Sequence, residues 1–168
     1  MNAAVIFLQA IGPVDAQVIA YLKDNLSCFW SVEILPGIEV PQESYHQARK
    51  QYEGSALLRA LSDRETPVLG VTEVDAFVDG LNYIFGLAIG RRAMISLKRL
   101  RPEFYGLAED DELLNQRVQK EAIHELGHVF GINHCLDQNC VMYFSNSILD
   151  TDFKDWRYCG RCEWKAMR

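Results

Sequence analysis

Three of the chain's four histidines fall within eleven residues, at positions 124, 128 and 134. His124 and His128 are four residues apart, so on a helix their imidazoles lie one turn apart on the same face. This spacing, with Glu125 directly after the first histidine, is typical of a zinc site whose carboxylate acts on a water molecule. Gly131 favours a helix C-terminus because glycine adopts positive φ without strain, and the turn that follows predicts His134 as a third ligand.

The alternative for the two helical histidines is an ordinary amphipathic helix that exposes them without binding a metal. The extended pattern favours metal binding, because Gly131 and His134 both stand where the longer zinc motif has its glycine and third histidine. Three protein ligands leave a fourth coordination position open to water, which is characteristic of a catalytic zinc ion. The sequence therefore predicts a catalytic zinc held by the three histidines, with Glu125 beside it.

Four of the five cysteines lie in the last 34 residues. Cys159 and Cys162 form a C-x-x-C motif, and Cys135 and Cys140 form a second pair. Clustered pairs in a cytosolic chain favour a structural zinc bound by four thiolates, whereas two disulfides would require an exported protein. Cys28 stands alone in an apolar segment, and we expect it to be a buried small hydrophobic side chain.

Length and composition indicate one globular domain. The chain has 168 residues, of which 49% are hydrophobic and 24% charged, enough apolar side chains for a core. A net charge of −6 argues against a nucleic-acid partner, and no apolar run is long enough for a membrane span. The apolar start has no basic residue before it and is interrupted at Gly12, so it favours a first strand over a signal peptide. We therefore expect a cytoplasmic protein, and a monomer.

The first half of the chain alternates between two hydrophobic periods. The apolar runs predict strands at 3–10, 27–35 and 67–71, and the helical spacings predict helices at 14–26 and 55–61. This alternation indicates an α/β unit with parallel strand pairing. The polar stretch 38–51 between them is predicted to be a loop.

The second half changes pattern. Residues 81–88 and 93–97 are joined by a glycine-containing connection and predict an antiparallel hairpin, with one strand at the sheet edge. Acidic residues near Asp110 favour the start of a long helix from Asp110 to Phe130, which carries the zinc histidines in its last two turns. The chain after Met142 is predicted to be mostly irregular and to be held by the second zinc.

The residues from His124 to His134 resemble the metzincin zinc motif, and Met142 stands at the position of the Met-turn methionine. The two cysteine pairs, together with residues 80–86 and 100–103, make the chain from about Pro67 onward resemble the archaemetzincins. Some metzincins have a tyrosine two residues after that methionine. Here the position holds Phe144, which has no hydroxyl group to assist catalysis.

The resemblance implies an α/β (α+β) metzincin fold of one compact domain over residues 1–168. Its sheet is mixed, mostly parallel and twisted, and an antiparallel edge strand borders the active-site cleft. The active-site helix completes an N-terminal subdomain of about residues 1–131, and a small zinc-stapled C-terminal subdomain spans 132–168. The resemblance also implies that Glu125 is the general base and that Met142 forms a hydrophobic floor under the histidines.

The leading functional hypothesis is a zinc peptidase with two zinc ions per chain, and the resemblance leans to an aminopeptidase acting on peptides. An extended substrate can add to the edge strand near Tyr83 to Leu87, although that edge can equally be merely solvated. One alternative is a non-catalytic zinc-binding module of the same fold. Another is a nucleic-acid-binding zinc ribbon within Cys135–Cys162, which the acidic composition disfavours.

Overall fold

The computed structural model of the chain describes residues 4–166, without the side chains of residues 164 and 166. The strands are β1 Val5–Ile11, β2 Ser31–Ile34, β3 Tyr45–His46, β4 Gln51–Glu53, β5 Val68–Thr72, β6 Ala76–Phe77, β7 Gly86–Ile89 and β8 Arg92–Ser96. The α-helices are α1 Ala16–Leu26, α2 Gly54–Ala60, α3 Asp111–Val129, α4 Ile148–Phe153 and α5 Gly160–Ala166. Short 3-10 turns occupy Gln42–Ser44 and Pro102–Tyr105.

Five strands form the central sheet in the order β2-β1-β5-β8-β7. The first four are mutually parallel, and β7 pairs antiparallel with β8 at one edge. Every residue of β5 is buried, as expected for a central strand covered on both faces. The predicted mixed, mostly parallel sheet with an antiparallel edge strand is confirmed.

Helices cover both faces of this sheet and so produce two cores. One core, which includes Leu22 of α1 and Val118 of α3, lies on one face, while Leu57 of α2 belongs to the core on the other. The carboxylate of Asp15 accepts a hydrogen bond from the Gln17 amide and begins α1. The active-site helix α3 therefore packs against α1 and beneath β7 and β8.

Local predictions were wrong in four places. The chain after Met142 was predicted to be mostly irregular, but it contains α4 and α5. Residues 27–30 form a turn rather than strand, because the amides of Phe29 and Trp30 bond back to the Leu26 carbonyl. Residues 81–85 do not extend the edge strand, since the amide of Ile84 pairs instead with the Ala76 carbonyl. The predicted loop contains β3 and the start of β4, which join β6 in a small three-stranded sheet.

The prediction for Cys28 was also wrong, because its side chain is exposed. It lies in the turn after α1, where its thiol donates to the Asn25 carbonyl at 2.9 Å instead of packing in the core.

An N-cap residue, Asp110, fixes the start of helix α3. The carboxylate of Asp110 accepts a hydrogen bond of 2.9 Å from the Leu113 amide, as the acidic start predicted. From residue 117 to residue 127 every side chain of α3 is buried, including charged ones that need partners. Within residues 4–166, no helix combines the length and apolar character needed to cross a membrane.

Candidate active site and metal centres

The three predicted histidines meet at the C-terminal end of α3. His124 and His128 lie one helical turn apart, and the helix ends just after them at Phe130. Gly131 has a φ of 82°, the left-handed conformation that glycine tolerates, and turns the chain back towards the helix. This turn brings His134 close enough that its Nε2 atom lies 3.1 Å from the Nε2 atom of His128.

Hydrogen bonds fix the ring orientation of both helical histidines. Nδ1 of His124 lies 2.8 Å from the Val141 carbonyl oxygen, and Nδ1 of His128 lies 2.8 Å from that of Ile132. Because a carbonyl oxygen only accepts, each Nδ1 carries the hydrogen and each Nε2 keeps a free lone pair. Both lone pairs belong to nitrogens that face the common centre.

The donor set fits zinc. The Nε2 atom of His128 is 3.1 Å from the Nε2 atoms of both His124 and His134. Tetrahedral coordination with zinc–nitrogen bonds of about 2.0–2.1 Å separates two ligand nitrogens by roughly 3.3 Å, close to this spacing. Burial lowers the pKa of His124 to about 3 and lowers those of His128 and His134, so the neutral, metal-ligating form prevails at neutral pH.

Glu125 lies between the helix and the edge strand. Its side chain is buried, and burial raises the pKa of its carboxyl well above the usual value, with a further contribution from the nearby Glu121 carboxylate. Gly86, the first residue of β7, is so close that an added Cβ would lie 2.5 Å from Cγ and Oε1 of Glu125. Only a glycine at this position leaves the carboxylate where it is.

A cleft of about 650 Å³ opens above these side chains. Residues on both sides of Gly86 line it, and so do Phe144 and Ser145. The Tyr83 hydroxyl donates to the Asn146 carbonyl oxygen at 3.1 Å and so joins these two lining segments. The Phe144 ring packs 5.0 Å from the His134 ring between centroids, and Phe144 has no hydroxyl group.

The four predicted cysteines also converge. Their sulfur atoms all lie within 4.8 Å of one another, and the Sγ atoms of Cys135 and Cys159 are 3.8 Å apart. Zinc–sulfur bonds of about 2.3 Å in a tetrahedron separate two sulfurs by roughly 3.8 Å. This spacing fits a closed four-thiolate site.

The thiols of this cluster differ in acidity. Burial raises the pKa of Cys159, but hydrogen bonds, first from the Cys162 backbone and then from neighbouring thiols, lower it overall to about 7. Burial and the hydrogen bond to Cys159 raise the pKa of Cys162. Neutral pH therefore favours a thiolate at Cys159 first, and a metal must displace the remaining thiol protons.

Met142 lies under the active-site helix, as predicted. Its side chain is fully buried, and an added Cβ at Gly127 would lie 2.5 Å from its sulfur atom. The Tyr158 hydroxyl donates to the Ile123 carbonyl oxygen at 3.2 Å, so the C-terminal part also bonds to α3 directly. Close backbone approach at Gly127 is what allows Met142 to underlie the histidines.

Sequence reasoning missed three features near the site. Gly86 carried a usable signal, because glycine within a strand often marks a close approach by another group. The bond between Tyr83 and Asn146, and a buried ion pair between Glu121 and Lys154, join residues far apart in the chain and had no such signal.

The site combines three histidines that leave room for a water molecule with a buried carboxylate beside them, under a sheet edge. These are the groups that zinc enzymes use to hydrolyse peptide bonds. The fold and the site define a zinc metallopeptidase.

The chain belongs to peptidase family M54, the family of the archaemetzincins, which its sequence matches over residues 31–168. A relative named archaemetzincin from Methanocaldococcus jannaschii is 49% identical over 160 residues, which cover 94% of this chain and 89% of the relative. The crystal structure of an archaemetzincin from Archaeoglobus fulgidus has a TM-score of 0.86 at 38% identity, covering 96% of this chain and 99% of that one.

A third comparison agrees with the class. A structure described as a zinc-dependent peptidase from Methanocorpusculum labreanum has a TM-score of 0.80 at 26% identity, covering 96% of this chain and 99% of that one. Family membership, together with the two ligand groups, confirms zinc as the metal and favours an enzyme over a non-catalytic module. The substrates of this class are peptides or proteins.

Proposed function

We propose that His124, His128 and His134 hold the catalytic zinc and that Glu125 is the general base. The observation that carries this proposal is the convergence of three Nε2 lone pairs beside a buried carboxylate. Zinc bound there supplies a Lewis acid that polarises a peptide carbonyl group and makes a water molecule more acidic.

Glu125 moves the proton in this scheme. It accepts the proton from the water molecule as the water oxygen attacks the peptide carbonyl carbon. It then gives the proton to the leaving amine as the carbon–nitrogen bond breaks. The raised pKa of its carboxyl suits the first step, because a stronger base accepts the proton of the water molecule more readily.

We propose that the substrate lies along β7 in an extended conformation. This strand forms the sheet edge and lines the cleft directly above Glu125. Its outward backbone amides and carbonyls are available to pair with an added strand, which fixes the peptide without reading its sequence.

The finer proposal is an aminopeptidase. The side chains of Glu121 and Glu125 line the cleft, and among the described residues no lysine or arginine does. The cleft therefore suits a free N-terminal amine better than a C-terminal carboxylate, which meets no cationic side chain there.

We propose that Cys135, Cys140, Cys159 and Cys162 hold the structural zinc. The cluster lies in the proposed C-terminal subdomain, residues 132–168. It adjoins the histidine site, because Cys135 follows His134 directly. Binding free energy at such a site is also folding free energy. We also propose a monomeric cytoplasmic protein that binds neither nucleic acid nor membranes, in keeping with its net charge of −6.

The test pairs Glu125→Gln with His128→Ala. Glu125→Gln should keep both zinc ions and lose about a hundredfold or more in peptide hydrolysis, because the amide is not a base. His128→Ala should lose one zinc and all activity. Zinc content by elemental analysis and cleavage of a peptide library by mass spectrometry provide the readouts.

Glu112→Gln is the matched control, since it changes an exposed glutamate in the first turn of the same helix. It should behave as the wild type in both assays. Full activity in Glu125→Gln, or two retained zinc ions in His128→Ala, would exclude the roles proposed here.

A further inference from the structure

A buried ion pair lies one turn before the zinc-binding histidines. Nζ of Lys154 is 2.9 Å from Oε1 of Glu121, and the side chains are 0% and 4% exposed. The Thr151 hydroxyl also donates to Oε1 of Glu121, at 3.1 Å. Burying two charges is unfavourable unless they are paired and hydrogen-bonded, so each partner depends strongly on the other.

Lys154 holds two parts of the active site together. Glu121 lies on α3, three residues before His124. The same ammonium group also donates to the Tyr143 carbonyl oxygen at 3.4 Å, directly after Met142. One charged group thus connects the helix that carries two of the histidines to the segment that lies beneath them.

The pair is also oriented. Glu121 lines the active-site cleft together with His124 and His128, whereas Lys154 does not line it and borders a second cavity. The negative end of the pair therefore lies at the cleft, and the positive end lies at the second cavity. The carboxylate is the stronger of the two charges at His124, but the ammonium is the stronger at His128 and His134, so the pair supports the centre by position rather than by net charge.

We propose that Glu121 and Lys154 form a positioning pair of the active site, which fixes the segment after Met142 against α3 and thereby keeps the three histidines in place to bind zinc. The inference rests on the proposed function in one respect, namely that these histidines hold zinc. It adds two residues that support the zinc centre without contacting the substrate.

The test separates this role from simple stabilisation. Glu121→Leu or Lys154→Met alone leaves an unpaired buried charge and should lower the melting temperature sharply. The double variant removes both charges and should recover most of that loss. Even so, its dissociation constant for the histidine-bound zinc should rise about 10- to 100-fold, the usual effect of losing a supporting partner. Competition with a chromophoric chelator measures this constant without activity.

A second ion pair offers a matched control. Arg117 lies four residues before Glu121 on α3 and binds Asp152 of α4 through two bonds of 2.7 and 2.8 Å. Arg117 is as buried as Glu121, but neither it nor Asp152 lines the cleft. Arg117→Met with Asp152→Leu should leave zinc affinity unchanged. An equal loss of affinity in this control would overturn the positioning role.

Glu121→Gln keeps the test decisive if the double variant does not fold. It retains the side-chain size and an oxygen for Thr151 while removing the negative charge, and its zinc affinity should still fall. Wild-type affinity in a folded double variant or in Glu121→Gln would refute the inference while leaving the proposed function intact. If His128→Ala still binds the zinc that the chelator removes from the wild type, that zinc is not held by the histidines, and the proposed function itself is refuted.

Discussion

Replacing Gly86 by alanine should displace Glu125, the proposed general base, without changing that residue itself. An alanine Cβ at this position would lie 2.5 Å from Cγ and Oε1 of Glu125 and 2.7 Å from Cδ. Ordinary van der Waals contact begins at 3.4 Å, so the carboxylate must move by about 0.9 Å. The backbone of Gly86 is not in the left-handed region, so the change isolates the effect of the added methyl group.

A displacement of about 1 Å in a catalytic group lowers rates by about a hundredfold. We therefore expect kcat/KM of Gly86→Ala to fall by that factor, equivalent to about 2.7 kcal/mol in activation free energy. The assay is hydrolysis of one peptide across a concentration series, with zinc content and melting temperature measured on the same samples. Both of these should stay near the wild-type values, because the atoms nearest to the added methyl group all belong to Glu125.

Two comparisons make the result specific. Gly37→Ala places its Cβ 3.5 Å from the nearest atom, an ordinary contact far from the cleft, and should leave the rate unchanged. In a Glu125→Gln background, Gly86→Ala should have little further effect, because the base is already absent. A wild-type rate in Gly86→Ala, or the same hundredfold loss in both backgrounds, would refute the contact argument.

Three further outcomes are expected. Cys159→Ser should lose one zinc by elemental analysis and lower the melting temperature in calorimetry, because a hydroxyl group is a poor zinc ligand. Tyr83→Phe should speed amide hydrogen exchange at residues 144–147, since it removes the bond to the Asn146 carbonyl. In metal-free protein, His124 stays neutral when folded but protonates near pH 6.5 when unfolded, so the free energy of unfolding should fall between pH 6.5 and 3. His124 should contribute about 1.4 kcal/mol per pH unit to this slope, the value of one proton, so the slope measured in urea titrations should be shallower by about that amount in His124→Asn.

Local sequence patterns were enough to predict which histidines and cysteines converge. His124 and His128 needed only the helical period, and the return of His134 needed only a glycine at a helix end. The strands of the sheet were equally local, since β1 and β5 are continuous apolar runs. Each of these predictions depended on residues a few positions apart.

Long-range pairing set the limits of prediction. Seventeen lysines and arginines occur in the chain, and nothing in the sequence marks Lys154 as buried, because its partner lies 33 residues earlier. The start of the edge strand at Gly86, rather than at residue 81, was decided by a competing bond from Ile84 to Ala76. Cys28 was misplaced because the turn after α1 directs its thiol outward.

A single peptide bond joins His134 to Cys135 and thereby ties the maturation of one metal centre to the other. Cys159 and Cys162 lie 25 and 28 residues further along the chain. On the assignments proposed here, the sulfur cluster that anchors His134 cannot close until the ribosome has released those last cysteines. At roughly 5–20 residues per second, that delay lasts about one to several seconds. A nascent chain therefore carries an unanchored His134 until Cys162 has left the ribosome, and the capacity to cut peptides arises only after that point.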